Sequence, residues 1–153
     1  MKAEAKLKEL KIQLPPVPQP LGAYVEAVQT GNLLFLSGTL PIENKKPKYI
    51  GVLGKNLSVD EGREAARVAT LNALAAAREH LGSLDRASRV VRLTVSVVGA
   101  SDFKNHPQVA DGASELLLDV FGKEKVSTRM VYGVATLPMG VPVVVEVLLE
   151  VES

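Results

Sequence analysis

Apolar residues recur with two different periods along this chain, and each period predicts a different kind of element. Between positions 91 and 97, apolar and polar residues alternate, which is typical of a strand with one buried face. Between positions 58 and 81, apolar residues recur at intervals of three and four, which predicts an amphipathic helix. The chain therefore combines strands and helices.

The long helix also carries signals for its two ends. Ser58-Val59-Asp60-Glu61 predicts a capping box, because the Ser58 hydroxyl and the Glu61 carboxylate can each accept a backbone N–H that is free at a helix start. Gly82 is typical of the position just past the last turn. The apolar stripe of this helix is rich in alanine, and Asn72 lies off it. Such small side chains predict that the helix packs close to a sheet.

The remaining segments complete the order of elements. A second helix ends before Gly122, and the first two strands flank the turn Thr30-Gly31-Asn32. The predicted strands are residues 23–28, 33–37, 91–97, 129–134 and 143–151, and the predicted helices are residues 58–81 and 108–121. The order ββαβαββ predicts an α+β fold in which both helices cover one face of a mixed sheet.

The opposite face of that sheet has no predicted cover. On the last strand, apolar residues at every second position face one side, while Val144 and Leu148 stand among acidic residues on the other. Neither side is therefore fully polar. A closed oligomer would bury the second face, so we expect the protein to assemble with copies of itself.

The first 19 residues differ from the rest of the chain. Leu7, Leu10 and Lys11 have helical spacing, and we interpret them as a short helix that packs on the domain. The prolines between positions 15 and 20 predict an extended spacer. We therefore divide the chain into an N-terminal helix with its spacer, residues 1–19, and a single domain, residues 20–153. Within the domain, residues 41–56 combine lysine, proline and glycine, which predicts an exposed loop.

Composition and charge narrow the range of partners. Hydrophobic residues make up 46% of the chain and charged residues 23%, as is typical of a globular domain. The formal net charge of +1 gives no field that would attract nucleic acid or an anionic membrane. No apolar run has the length of a membrane span, and the first segment lacks the apolar region of a signal peptide. We expect a cytoplasmic protein that binds neither nucleic acid nor a membrane.

The residue types that serve most catalytic sites are scarce. The chain has no cysteine, so disulfides and thiolate catalysis are excluded. Its histidines, His80 and His106, have no acidic neighbours in a metal-ligand pattern, so neither a metal site nor a histidine-based triad is predicted. Any chemistry must therefore come from other residues.

Four short segments resemble, in order and spacing, the signatures of a known family. They are Leu21-Gly22-Ala23-Tyr24-Val25, Leu36-Ser37-Gly38-Thr39-Leu40-Pro41, Ser127-Thr128-Arg129 with Val134-Ala135-Thr136-Leu137-Pro138, and the last strand, rich in valine and glutamate. No single segment is specific, but together they are similar to the Rid (YjgF-like) family, formerly described as L-PSP endoribonuclease-like. The resemblance covers residues 20–151, and the N-terminal extension resembles that of a longer subfamily.

The resemblance implies a fold, an assembly and an activity. The fold is chorismate-mutase-like, and the assembly is a homotrimer whose sheets form a central barrel with clefts between subunits. Members of the best-known type hydrolyse reactive 2-imino and enamine acids to 2-oxo acids and ammonia without a cofactor. The expected ligand is then a small 2-imino or 2-oxo acid, and a trimer agrees with the uncovered sheet face.

Arg129 matches the family residue that binds the substrate carboxylate. A planar guanidinium presents two parallel N–H donors to a carboxylate, which lysine cannot do. The alternative role for Arg129 is a structural ion pair across a subunit boundary. Tyr24, Ser37 and Gly38 match substrate-binding positions in the cleft, although a core aromatic residue and a turn would look the same in sequence. Asp111 falls near a cleft asparagine of many members, where an acid would disfavour a second anion.

One position departs from the family pattern. Hydrolytic members have a glutamate on the last strand that activates or positions water, and the matching residue, fifteen positions after Arg129, is Val144. Valine cannot accept a proton. A glutamate there would, by the resemblance, face the cleft of Arg129. Glu146 points to the same side of the strand about 6.6 Å further along. It is either a catalytic carboxylate in a shifted position or a structural one.

Three functions therefore stay open. The first is hydrolysis of 2-imino acids, with Arg129 and Glu146 as the catalytic residues. The second is a module that binds a 2-oxo acid or another small carboxylate without converting it. The third, ribonuclease activity, is ranked last because neither a suitable histidine pair nor a basic patch is present. The first two differ in whether a carboxylate reaches the cleft of Arg129.

Overall fold

The computed structural model describes all 153 residues of the chain. The α-helices are α1 (Ala3–Glu9), α2 (Val59–Leu81) and α3 (His106–Phe121). The strands are β1 (Ala27–Thr30), β2 (Leu33–Leu36), β3 (Ile42–Glu43), β4 (Lys46–Pro47), β5 (Ala87–Val97), β6 (Thr128–Gly133) and β7 (Val143–Val151). No helix combines the length and the apolar character that crossing a bilayer requires. The α+β class and the order ββαβαββ are confirmed, with one short hairpin added.

A five-stranded mixed sheet forms the centre of the fold. Its strand order is β1-β2-β7-β5-β6, and only the pair of β5 and β6 is parallel. A parallel pair needs a long crossover connection, and α3 supplies it here. β1 and β6 lie at the two edges of the sheet. The mixed sheet predicted from the sequence is confirmed.

One face of the sheet is covered by α2 and α3. Beneath these helices the side chains of Val143, Val145 and Val147 on β7 are fully buried. The alanine stripe of α2 is buried as well, which confirms the predicted close packing. The two helices also touch each other closely, because a Cβ on Gly112 of α3 would collide with the Arg63 carbonyl of α2. Glycine is required at that crossing.

The ends of α2 agree with the sequence signals. Ser58 N–H donates to Glu61 Oε1 at 2.9 Å, and Glu61 N–H donates to Ser58 Oγ at 3.1 Å, which confirms the capping box. Gly82 ends the helix with a φ of 83°. This left-handed conformation costs glycine little because it has no Cβ.

The lysine-rich segment after β2, expected to be a loop, contains the hairpin of β3 and β4. Asn44 and Lys45 both have positive φ, 55° and 67°, as the common two-residue hairpin turn requires. The Asn72 side chain of α2 holds the entry to this hairpin by donating to the carbonyls of Leu40 at 3.0 Å and Ile42 at 2.9 Å. Asn72 is therefore buried, although it lies off the apolar stripe.

α1 is held on the helical layer by burial and by one carboxylate. Ala3 is buried, and Leu7 keeps only 2% of its surface exposed. The Glu4 carboxylate accepts from Arg78 of α2 at 2.7 and 3.2 Å and from Leu84 N–H at 2.7 Å. A short N-terminal helix packed on the domain is thus confirmed. The division of the chain after residue 19 stays a prediction.

Strand boundaries differ from the predictions mainly at β1. Residues 21–24 form a bend rather than the start of a strand, because Tyr24 Oη accepts the Leu21 N–H at 2.9 Å. β1 therefore begins at Ala27. β5 begins earlier than expected, at Ala87, and α3 begins at His106.

The other face of the sheet has no covering element within the chain, and we call it the open face. Its side chains include those of Val28, Phe35, Arg92, Thr94, Ser96, Met130, Tyr132, Val144, Glu146 and Leu148. Phe35, Met130 and Tyr132 keep 43%, 57% and 46% of their surface exposed. The uncovered apolar face is confirmed, and its closure by an oligomer stays a prediction.

Candidate functional site

Arg129 lies on β6, at one edge of the sheet. Its register partner on β5 is Leu93, whose side chain is fully buried under the helices, so Arg129 projects to the helix-covered side. There Arg129 Nη1 donates to Asp111 Oδ1 at 2.7 Å and to Ser114 Oγ at 3.1 Å, both on α3. The structure thus brings together two of the predicted site residues, and α3 fixes one side of the guanidinium.

The guanidinium of Arg129 keeps donors that the chain does not use. Its Nε and Nη2 have no hydrogen-bond partner within the chain, and 28% of the side chain is exposed. These two nitrogens form one of the edges through which arginine binds a carboxylate with parallel N–H donors. The ion pair with Asp111 uses only Nη1, so Arg129 can hold Asp111 and a carboxylate ligand together.

A cavity of about 200 Å³ adjoins Arg129 between α3, β6 and the segment that links them. Its aliphatic lining consists of Val90, Leu117, Leu118 and Val126. Its polar lining consists of Ser114, Lys125, Ser127 and Arg129. Because drug-sized ligands occupy about 300–1,000 Å³, this cavity suits a smaller molecule.

The last strand carries its candidate residues on the open face. Glu146 is the register partner of Thr94, and Val144 is that of Ser96. Val145 between them is fully buried on the helix-covered side, so Val144 and Glu146 share the open face, as predicted. Glu146 is exposed and has no ion-pair partner within the chain.

Ser37 and Gly38 follow the end of β2, and Tyr24 lies in the bend before β1. Ser37 Oγ donates to the Val25 carbonyl at 2.6 Å, which ties the bend before β1 to the end of β2. Tyr24 Oη accepts a backbone N–H at 2.9 Å, so its own O–H is free to donate. A Cβ on Gly38 would lie 3.1 Å from Val144 Cγ1. Gly38 thus lies next to Val144, and Ser37 ties this end of β2 to the segment that carries Tyr24.

The predicted site residues fall into two groups that a single chain keeps apart. Leu93 on β5 is the register partner of both Arg129 on β6 and Val147 on β7, and Val147 follows Glu146 in the sequence. The Cα atoms of Arg129 and Glu146 are thus about 10 Å apart across two strand spacings, with their side chains on opposite faces. The expectation that position 144 faces the cleft of Arg129 does not hold within one chain, because the sheet lies between them. A cleft that combines both groups needs a second copy.

Glu26 is a further carboxylate near the open face, and no sequence motif singles it out. Its carbonyl accepts the Ser37 N–H at 2.9 Å, and the next residue, Ala27, packs against the core. The Glu26 side chain therefore lies on the same side as Val28, which belongs to the open face. Burial raises the pKa of the Glu26 carboxyl above its ordinary value. Carboxyls with shifted pKa are candidates for proton transfer.

Neither histidine belongs to a catalytic arrangement. His80 Nε2 lies 2.9 Å from Gln29 Oε1, and the His106 ring packs edge-on against Phe103 with centroids 5.1 Å apart. No three or more His, Asp or Glu side chains of the chain are grouped so that they could hold a metal ion. The groups around Arg129 and on the open face are thus the candidates for function.

Comparison with known proteins gives a family match over nearly the whole chain. The family described as "YjgF/chorismate_mutase-like, putative endoribonuclease" matches residues 4–151. The chain is 41% identical over 150 residues to Protein TCP17 of Trypanosoma cruzi, which covers 97% of this chain and 94% of that protein.

A second relative and a solved structure agree with this match. The chain is 30% identical over 146 residues to the 2-iminobutanoate/2-iminopropanoate deaminase of Dermatophagoides farinae, which covers 92% of this chain and 95% of that protein. A crystal structure from Shewanella oneidensis, described as a "putative endoribonuclease", has a TM-score of 0.94 and 33% identity over 99% of this chain and 100% of that chain.

Proposed function

This chain belongs to the YjgF/chorismate mutase-like family, and we propose that it hydrolyses small 2-imino acids to 2-oxo acids and ammonia in clefts between the subunits of a homotrimer. The relative from Dermatophagoides farinae, named as a deaminase of such acids, supports this reaction class. The observation that carries the proposal is the unused Nε and Nη2 edge of Arg129 beside a small cavity.

Arg129 binds the substrate carboxylate through that edge. Asp111 and Ser114 hold Nη1, so the guanidinium is oriented before a ligand arrives. Orientation in advance lowers the entropy that binding would otherwise cost. Each hydrogen bond to a charged group contributes about 1.5–3 kcal/mol. A neutral ligand of the same size would therefore bind much more weakly.

A second subunit completes the cleft. Glu146 lies on the open face of the sheet, whereas Arg129 lies at the free edge of β6 on the other side. When the β6 edge of one copy meets the open face of the next, Arg129 and the next copy's Glu146 reach the same space. Such head-to-tail contacts can close into a ring, and the family resemblance supports a ring of three copies. The ring also buries the apolar residues of the open face.

Glu146 supplies the proton transfers that hydrolysis needs. Water adds to C2 of the imine, the C=N electron pair moves to nitrogen, and Glu146 accepts the proton that the water loses. Glu146 returns that proton to the nitrogen, which gives a carbinolamine. Glu146 then accepts the proton of the new hydroxyl group, the C=O bond forms as the C–N bond breaks, and the leaving nitrogen takes up this second proton. The products are a 2-oxo acid and ammonia. Tyr24, whose hydroxyl proton is free, orients the substrate. These steps need neither a metal nor a cofactor.

A second candidate function, binding a 2-oxo acid without converting it, is favoured by Val144. Position 144 adjoins Gly38, one of the predicted substrate-binding residues, so a carboxylate there would be best placed to activate water. Valine cannot do so. Hydrolysis of the imine therefore depends on Glu146, whereas binding of a 2-oxo acid does not.

Ammonia release from freshly generated 2-iminopropionate tests the hydrolase. A rate above the uncatalysed one, proportional to protein concentration, is expected for the wild type. Arg129→Gln should lose it, whereas Arg67→Gln, on the outer side of α2 and without an ion pair, should keep it. If the wild type binds pyruvate but releases no ammonia, the hydrolase proposal is wrong and the protein is a binding module.

Sedimentation at micromolar concentration tests the assembly, and three subunits are expected. Phe35→Asp should dissociate them, because it would bury an unpaired charge where the open face is covered. Leu10→Asp introduces the same charge at an exposed apolar residue beside α1 and should leave the trimer intact. An active monomer would rule out the shared cleft.

A further inference from the structure

Asp111 on α3 is tied to Arg129 through only one of its two carboxylate oxygens. Asp111 Oδ1 accepts from Arg129 Nη1 at 2.7 Å, whereas Oδ2 has no hydrogen-bond partner within the chain. The Asp111 side chain is 41% exposed. The other cation near Asp111 is Arg63 of α2, which donates instead to the Gln108 carbonyl at 3.0 Å and to the Glu115 carboxylate. Asp111 therefore keeps a hydrogen-bond acceptor and a negative charge available beside Arg129.

The negative charge of Asp111 is not needed to orient Arg129. The side-chain carbonyl oxygen of an asparagine would accept the same N–H from Arg129 without any charge. The carboxylate of Asp111, by contrast, repels the carboxylate of a ligand that is held by the same guanidinium. This repulsion does not depend on which way the free edge of Arg129 faces, because both carboxylates share that one group. The charge favours a ligand only if the ligand also carries a positive or hydrogen-bearing group next to its carboxylate.

We propose that Asp111 determines specificity by recognising the nitrogen at C2 of the ligand whose carboxylate lies on Arg129. The nitrogen of a 2-imino acid is bound to the carbon next to the carboxylate, so the ligand presents its two groups side by side, as Arg129 and Asp111 present theirs. The inference rests on the proposed function in one respect, since it takes Arg129 as the carboxylate anchor. It also implies that 2-amino acids, which are zwitterions with the same arrangement, compete with the substrate for this site.

The same residue distinguishes the substrate of the proposed reaction from its product. The imine nitrogen carries a hydrogen and becomes positively charged when it is protonated, whereas the C2 oxygen of a 2-oxo acid offers only lone pairs. An ionised carboxylate has acceptors and no donor, so Asp111 attracts the nitrogen and repels the oxygen. Hydrolysis thus replaces an attraction at C2 by a repulsion. The 2-oxo acid is therefore bound more weakly than the imine, which favours its release.

Calorimetry with alanine, lactate and pyruvate tests the proposal on the intact protein. The three acids share a carbon skeleton and a carboxylate, and they carry an ammonium group, a hydroxyl group and a carbonyl oxygen at C2. The wild type should bind alanine about tenfold more tightly than lactate, on the scale of one partly screened charge interaction, and pyruvate most weakly. Asp111→Asn should weaken the binding of alanine and strengthen that of pyruvate. Glu115→Gln is the matched control, because Glu115 lies one turn further along α3 and contacts Arg63 rather than Arg129, so the order of affinities should not change.

The opposite signs expected for alanine and pyruvate separate recognition from a structural role. If Asp111 only orients Arg129, Asp111→Asn weakens all three acids to the same extent or leaves them unchanged, and either result would overturn the nitrogen recognition while Arg129 stays the anchor. Alanine binding no tighter than lactate in the wild type would overturn it as well. If the preference for alanine depends on Asp111 but no ammonia is released from 2-iminopropionate, the hydrolase proposal is wrong and the nitrogen recognition stands. No binding of any of the three acids would overturn the anchor and the nitrogen recognition together.

Discussion

The two faces of the central sheet differ in what covers them. On the helix-covered face, Val143, Val145 and Val147 of β7 are fully buried under the helical layer. On the open face, Phe35, Met130 and Tyr132 stay exposed. Burying a large aliphatic or aromatic side chain contributes about 1.5–3 kcal/mol, so the covered face stabilises the single chain. The open face can contribute comparable stabilisation only when copies meet.

The chemical groups are divided in the same way. The helix-covered side holds a cation, Arg129, that α3 keeps in one orientation. The open face holds a carboxylate, Glu146, without an ion-pair partner. One side therefore has the features of a binding group and the other those of a proton-transfer group. Changes to the two sides should have separable effects.

The largest effect is expected from Glu146→Gln. It should lower imine hydrolysis about 10²- to 10⁴-fold, because general base catalysis typically contributes that much. Binding of 2-oxo acids should change little, since Arg129 is intact. Glu150→Gln, a change of the same kind further along β7, is the control and should keep the activity. Ammonia release and calorimetry measure the two quantities.

Mixing inactive variants tests whether the two faces belong to one cleft. If a cleft takes Arg129 from one copy and Glu146 from the next, co-assembled Arg129→Gln and Glu146→Gln chains should form about a quarter of their clefts with both groups intact. Activity should return to that extent. No return after verified mixing would contradict a cleft shared between copies.

Val144→Glu should have the next largest effect, a gain of up to about 10²-fold in ammonia release, at the lower end of general base catalysis because Glu146 is already present. Adding Val144→Glu to the Glu146→Gln variant should raise ammonia release by a larger factor than adding it to the wild type. The new carboxylate must stay partly exposed, since burial would raise its pKa until it no longer accepts protons. If Val144→Glu gives no ammonia release in either the wild-type or the Glu146→Gln background while 2-oxo acids still bind, the protein is a binding module.

Arg129→Lys should affect binding rather than assembly. The charge survives, but the parallel pair of donors is lost, so the affinity for pyruvate or 2-oxobutanoate should fall by about 1.5–3 kcal/mol. Calorimetry measures this loss, and sedimentation checks that the number of subunits is the same as in the wild type. An unchanged affinity would mean that Arg129 serves only the ion pair with Asp111.

Most of the fold could be predicted because local signals agree with its elements. The capping box at Ser58, the stop at Gly82 and the alternation along β7 each depend on neighbouring residues only. The start of β1 was less predictable, because the bend before it depends on a hydrogen bond from Leu21 to Tyr24. The hairpin of β3 and β4 was not predicted, since strands of two residues are too short to show a period.

The candidate site could be predicted residue by residue but not as an arrangement. Period two shows which residues of one strand share a face, but it does not relate the faces of two strands. The register of Arg129 with Leu93, and of Leu93 with Val147, decides that Arg129 and Glu146 lie on opposite sides. Sequence patterns contain no record of that register. Ser114 was missed for the same reason, because only the packing of α3 on β6 brings it to Arg129.

The smallest effect is expected from Glu26→Gln, and it reports how far the open face is buried. Burial raises the pKa of Glu26 above 4.5, so the folded state favours the neutral carboxyl. The stability that this neutral form contributes is present at low pH and is lost as the pH rises through the raised pKa. Glutamine is always neutral, so the thermal stability of the variant relative to wild type should increase between pH 4 and pH 7.

Assembly should strengthen this pH dependence, because a subunit on the open face buries Glu26 further, and the dissociated Phe35→Asp background should weaken it. Melting curves at both pH values compare the wild type with Glu26→Gln, and Phe35→Asp with the double variant Phe35→Asp, Glu26→Gln. If the difference in melting temperature between wild type and Glu26→Gln does not depend on pH, Glu26 is as exposed as an ordinary surface glutamate.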